Sequence, residues 1–296
     1  MNFVVLQKTL DIPPVEKIEQ ALLSVEGFTR IDAQTFANDA YGILVKNLSA
    51  EQAGAFSGAL LSQGIDNEVV AESHLVPLPQ TKFVHRLDCT LEGLLIYDTL
   101  GRSFLLAWGH ILLIAAGCVR LTDFTRVERK VWAADDVDGG VIPMIESHSV
   151  EERNNHLLLE IIVSGAVLRY SVSAEKFRFD YLGERRTKNL PENFALLVQD
   201  LAAFTPHAML NRGAFFLKKN EALFPYPSKN AFFEEITWLL WRMKQEGRIE
   251  TENPHCMTRS TESQPGGQLM CRPPRMCKCK CGTDSPASGP LLMTRR

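Results

Sequence analysis

The stretch Leu91 to Val119, LEGLLIYDTLGRSFLLAWGHILLIAAGCV, is the most hydrophobic part of the chain and constrains it most. It is either a membrane span or a set of buried strands, and each places the protein in a different class. Its apolar end, Phe104 to Val119, has 16 residues, short of the ~17–25 that cross a bilayer as a helix. Gly109 and His110 lie inside it, and Arg102 and Arg120 stand just outside. Tyr97-Asp98 and Gly101-Arg102 punctuate the preceding residues at strand-length intervals. Strand, turn, strand, break, strand is the better reading, and a membrane-anchored protein with a span near 104–119 is the alternative. Ile111 to Val119 shows no polar alternation, so as a strand it must be buried on both faces.

Around this stretch the chain divides into regions. In Met1–Val76, Phe3 to Leu6 reads as a buried strand. Pro13 and Pro14 precede Val15, Ile18, Ala21, Leu22 and Val25, which recur at helical spacing. Asp32 can cap a second short helix through Ala37, and Tyr41 to Val45 reads as a strand. Ser49 with Gln52 is a capping-box pair that starts a helix burying Ala53, Phe56, Leu60 and Leu61. Val69 and Val70 make a third strand. The order β-α-α-β-α-β predicts a small α/β sandwich, with a ferredoxin-like order, taking Thr29 to Ala33 as a strand, as the alternative.

This region resembles the C-terminal domain of the ribosomal stalk protein in element order and in fragments. The fragments are Lys17-Ile18, Asp32-Ala33-Gln34, and Leu48-Ser49-Ala50-Glu51-Gln52-Ala53 leading to Gln63-Gly64. The resemblance covers about a quarter of the chain and implies the fold. The family's glycine–leucine pattern between the first two helices is absent, and Glu26-Gly27-Phe28-Thr29 stands there instead.

Residues 77–81, with Pro77 and Pro79, read as a linker. In the next region, about Lys82 to Pro206, strands are expected at Phe83–Leu87, Gly93–Asp98, Arg102–Trp108, Ile111–Val119, Val127–Ala133, Leu157–Val163 and Ala166–Ser173. Asp135 to Asn155 is polar and acidic and reads as an exposed irregular loop. A helix capped by Asn189, with Pro191 in its first turn, carries the stripe Phe194, Leu197, Val198, Leu201 and Phe204. Seven strands followed by one amphipathic helix resembles the pleckstrin-homology-like barrel, which implies a closed barrel plugged by that helix. The fold class expected is therefore α+β. The first inter-strand loop, Asp88-Cys89-Thr90-Leu91-Glu92, is acidic, whereas phosphoinositide headgroups need lysine and arginine there. Phosphoinositide binding at the usual site is not expected.

In residues 207–250, Phe215 to Leu217 reads as a short strand and Pro225 to Ser228 as a turn ending in a cap. The helix Asn230 to Glu246 carries Phe232, Ile236, Leu239, Leu240 and Met243 on one face and Trp238 and Trp241 on the other. A helix apolar on two faces is sandwiched, so the two tryptophans are interface candidates, against the N-terminal module or a second subunit. Residues 251–296 contain no aromatic residue, valine or isoleucine and read as a disordered tail.

Little in the sequence points to chemistry. Cys277, Cys279 and Cys281 alternate with lysine in the tail, a spacing unlike paired zinc ligands, so no metal is expected. Asp135, Asp136 and Asp138 lack the alternating ligands of a calcium loop. His85, Asp88 and His110 are the acid–base candidates should the chain be an enzyme. No nucleophile elbow, P-loop or H-E-x-x-H accompanies them, and no cofactor is expected. Lys218, Lys219 and Lys229 flank aromatic residues, but a net charge of −3 gives no bulk attraction to nucleic acid, and none is predicted. Met1 to Pro14 has no basic segment followed by an apolar one, so no signal peptide is expected. Only Cys89 and Cys118 precede the tail, which suits a reducing cytoplasm. The function expected is a non-catalytic regulatory or protein-binding protein, with a protein partner or homo-oligomer. The alternatives are an enzyme of unrecognised family and the membrane-anchored protein.

Overall fold

The computed structural model describes residues 1–9, 11–134 and 141–249. The tail with Cys277, Cys279 and Cys281 and the acidic cluster Asp135, Asp136 and Asp138 lie outside the described residues. The N-terminal elements are strand β1 (Phe3–Gln7), helices α1 (Val15–Leu23) and α2 (Arg30–Asp39), strand β2 (Ile43–Leu48), helix α3 (Ala50–Ser62) and strand β3 (Asn67–Ala71). The order β-α-α-β-α-β holds, and the strands form an antiparallel sheet in the order β2-β1-β3. Thr29 to Ala33 is not a strand. Thr29, rather than Asp32, is the cap of α2, and Asp32 completes its capping box. Ser49 and Gln52 form the capping box of α3. Alternation along β1 buries Val5 against the three helices and Val4 and Leu6 against the other side.

The central elements are β4 (Gln80–Phe83), β5 (Leu87–Cys89), β6 (Gly93–Tyr97), β7 (Ser103–Ala107), β8 (Ile111–Ala134), β9 (Val141–Val163), β10 (Leu168–Ser173) and helix α4 (Leu190–Phe204). They are followed by β11 (Met209–Leu210), helix α5 (Arg212–Lys218), β12 (Pro225–Tyr226) and helix α6 (Lys229–Gln245). Asn189 caps α4 as its sequence predicts. Four expectations are corrected. Among the described residues there is no closed barrel: β5-β6-β7 form a separate meander, and β11-β8-β9-β10-β4 form an open sheet to which β12 adds by pairing with β8. Phe215 to Leu217 lies in helix α5, because Asn211 caps it and burial of Ala214 and Leu217 rewards a helical repeat. The stretch read as an irregular loop up to Asn155 is strand β9 from Val141 onward, and Ile111–Val119 and Val127–Ala133 are one strand.

Ile111 to Ala116 are buried on both faces of the central sheet, as a strand without alternation must be. Ile114 and Ala116 meet α4, α5 and the meander on one side, while Leu113 and Ala115 meet α6 on the other. Among the described residues no helix is long and apolar enough to cross a membrane. Helix α6 is sandwiched between the central sheet and the N-terminal sheet. Trp238 and Trp241 are each 4% exposed. Trp238 Nε1 donates to Gln7 O at 2.8 Å, and its ring leaves no room for a side chain at Gly42, whose φ of +77° suits glycine. The contacts of both rings are therefore within the chain.

A buried polar node ties the last segment to β8. Asn211 Oδ1 accepts Ala116 N–H at 2.8 Å and Ala214 N–H at 2.9 Å, while its Nδ2 donates to Ala116 O and to Tyr226 Oη. Tyr226 Oη donates to Glu235 Oε2 at 2.5 Å, and Glu235 Oε1 accepts Arg212 N–H at 2.9 Å. The Asn211 side chain thus stands in for a strand backbone at the edge of β8. Such a node requires close approach: a Cβ on Gly213 would lie 1.9 Å from Ala116 O.

Candidate interaction surface

Strands β8 and β9 outrun the sheet they belong to. The last neighbour on the outer edge of β8 is β12, at Cys118 and Val119. The outer edge of β9 meets β10 only from Leu158 onward. Beyond these points the two strands pair with each other alone, over fifteen residue pairs from Arg120↔Asn155 to Ala134↔Val141. At ~3.3 Å rise per residue this arm is about 50 Å long. Arg126 to Lys130 and Ile145 to Ser149 are exposed at every position, so neither face of the arm rests on the body there.

The arm is built from local strand chemistry. Thr122, Val127 and Val150 are β-branched, and charged residues such as Arg126, Glu128 and Glu151 stand beside the valines. Opposite charges sit across from each other at Arg129↔Glu146. Arg126 Nη2 donates to Ser147 Oγ at 3.1 Å. At the base, Leu157 N–H donates to Glu175 Oε1 at 3.0 Å, and His156 Nδ1 lies 3.7 Å from the same oxygen.

The acid–base candidates are not assembled into one site. His85 is exposed, and its carbonyl accepts Arg178 N–H. Asp88 accepts Tyr97 Oη–H at 2.6 Å and lies 3.5 Å from Arg86. His110 Nδ1 lies 3.2 Å from Ser164 Oγ. Among the described residues no hydrogen bond joins any two of the three, and no group of three or more His, Cys, Asp or Glu side chains is placed to hold a metal ion. Burial pushes the Cys89 thiol up to about 12, with the Asp200 carboxylate adding to it, so Cys89 is a poor nucleophile. Lys219 lies over the Phe215 ring at 4.2 Å and Lys229 over the Phe233 ring at 5.7 Å.

A cleft of about 430 Å³ lies beside β2, lined by Phe28, Phe36, Asp39, Lys46 and Glu234 among others. Lys46 Nζ is 2.7 Å from Glu234 Oε2. Burial raises the Glu234 carboxyl and the Lys46 contact opposes it. The cleft offers two aromatic rings, the Asp39 carboxylate and the Lys46–Glu234 ion pair.

Sequence reasoning missed the arm, although a signal was present. Thr122 to Lys130 and Ile145 to Arg153 mix β-branched and charged residues, contain no proline or glycine, and flank Gly139-Gly140. Comparison of the chain with protein-family models, with curated proteins and with solved structures gives no match.

Proposed function

We propose that this is a non-catalytic protein-binding or regulatory protein of the cytoplasm, and that the β8–β9 arm is its binding element. The observation that carries the reading is a fifteen-pair ribbon that, among the described strands, has no third strand in register on either outer edge. A two-stranded ribbon alone in water is marginally stable, and an unpaired edge is a template for another strand. The separate partners of His85, Asp88 and His110 support a non-catalytic role. The free thiols of Cys89 and Cys118 support a reducing compartment.

The test is to replace Thr122–Arg153 by an Asn-Gly turn, which closes a two-residue hairpin directly on the hydrogen-bonded Leu121↔Asn154 pair. Full-length and arm-less chains serve as paired baits in affinity purification with mass spectrometry. Loss of partners from the arm-less chain, with its cooperative melting retained, is the expected result. An unchanged set of partners overturns the reading.

A further inference from the structure

The two edges of the arm are not equivalent. In an antiparallel pair, successive residues turn N–H and C=O alternately toward the partner strand and away from it. On β8, Cys118 N–H donates to Phe224 O at 3.0 Å and Ala116 N–H donates to Asn211 Oδ1 at 2.8 Å, both on the side away from β9. The register with β9 is unbroken from Leu113 to Ala134. Beyond the reach of β12, even-numbered residues from Thr122 to Ala134 therefore aim seven N–H and seven C=O groups outward, and none of them is proline. On β9 the Leu157 N–H turns outward to Glu175, so odd-numbered residues face outward there. One of these is Pro143, which has no N–H to offer. A proline at an outward position blunts an edge, and here it blunts β9 alone.

We infer that β8 pairs antiparallel with β8 of a second copy of this chain, about a two-fold axis at Val127. This rests on the reading of the arm as the binding element and names its partner. Val127 is the midpoint of Thr122–Trp132, so pairing about it sets Thr122 of one copy against Trp132 of the other and leaves out Arg120, whose outer edge β12 meets. Even-numbered residues then meet even-numbered ones, and outward donors meet outward acceptors in about twelve hydrogen bonds.

The charges fit the same axis. Arg126 of each copy faces Glu128 of the other, twice, with Val127 against Val127 between them. Within one chain Arg126 and Glu128 lie 3.6 Å apart with side chains 71% and 56% exposed. Strand β9 lacks this property, because an axis that sets Glu151 against Arg153 sets Glu152 against itself. A two-fold axis closes the assembly as a dimer and leaves the Pro143-bearing strands as the outer edges of a four-stranded sheet, β9-β8-β8-β9.

Sedimentation velocity of the full chain over a concentration series tests this, and a dimer is the expected wild-type result. Glu128→Pro removes one outward N–H without touching the β8–β9 ladder, so it yields monomers with an intact arm. Arg126→Glu and Glu128→Arg, each alone, set like charges across the axis and weaken association by about 10-fold or more. Mixed in equal amounts, these two variants recover the dimer, because every cross-axis contact is again between opposite charges. Mixing leaves contacts within each ribbon unchanged, so recovery reports on pairing between chains. A monomeric wild type, an unaffected Glu128→Pro dimer or a mixture that stays monomeric each overturns the inference. If the wild type is monomeric but its partners are lost on arm removal, self-pairing fails and the arm remains the binding element. If partners survive arm removal as well, both fail.

Discussion

Glu160 offers a quantitative test of how this core tolerates charge. It is 1% exposed, on the face of the central sheet that meets α6. Ser171 Oγ donates to its Oε1 at 2.8 Å, and Arg169 Nη1 lies 3.6 Å from its Oε2. Arg169 is itself held by Thr81 and lies over the Phe233 ring. Burial raises the Glu160 carboxyl from 4.5 to about 7, outweighing Arg169 and Ser171, which pull it down. A carboxyl raised in the folded state contributes stability that is fully present below about pH 4.5 and is lost as pH rises through about 7. At 1.36 kcal/mol per pH unit the loss is about 3 kcal/mol. Glu160→Gln has the shape of the protonated acid, with its carbonyl toward Arg169 and its amide toward the Ser171 hydroxyl, which then accepts. Urea unfolding of both chains should give a variant more stable by about 3 kcal/mol at pH 8 and by less than about 1 kcal/mol at pH 5. Taking the difference between chains cancels the other carboxylates. A variant less stable than wild type at pH 8 would show that the Arg169 pair outweighs burial, and would refute the reasoning.

Gly213→Ala and Gly58→Ala should move stability in opposite directions by urea unfolding. The first drives a Cβ into Ala116 O and costs about 3 kcal/mol. The second has nothing within 4 Å on an exposed face of α3 and stabilises by up to about 1 kcal/mol. Trp238→Phe should cost about 1–2 kcal/mol more than Trp241→Phe, since Trp238 Nε1 donates to Gln7 O whereas Trp241 Nε1 is buried without a partner. Equal losses in thermal and urea unfolding would contradict this. With its thiol at about 12, Cys89 has about one part in 10⁴ as thiolate at pH 8. It should therefore resist alkylation in the native protein, as read by peptide mapping, and react on unfolding.

What the sequence made legible was local. The Ser49–Gln52 capping box, the Asn189 cap with Pro191 and the apolar positions of α4 and α6 act within one or two helical turns, and each element lies where those residues place it. The two-sided burial of Ile111 to Ala116 also followed, because a run with no polar alternation has no face to give to water. Closure of the sheet was not legible, since it depends on which strands pair. Strand β4 finds β10 in parallel, and β5-β6-β7 pair only among themselves. The acidic residues before Asn155 suggested a loop because composition cannot show that Glu146 has Arg129 across from it. For the same reason Glu160 and Glu235 gave no signal, since their partners lie on other elements.

The bond from Trp238 to Gln7 spans 231 positions of sequence. Lys244 reaches His74 across 170, and Ser228 reaches Asp39 across 189. Among the described elements a ribosome emits β1 first and α6 last. The side of the N-terminal sheet formed by Val4, Leu6 and Val70 therefore waits uncovered while the central sheet is synthesised, and is shielded only when α6 emerges. Contacts this distant in sequence slow the search for the native state. The helix that completes the core is also the last to arrive, so a nascent chain stopped before Lys229 exposes two apolar sheet faces at once.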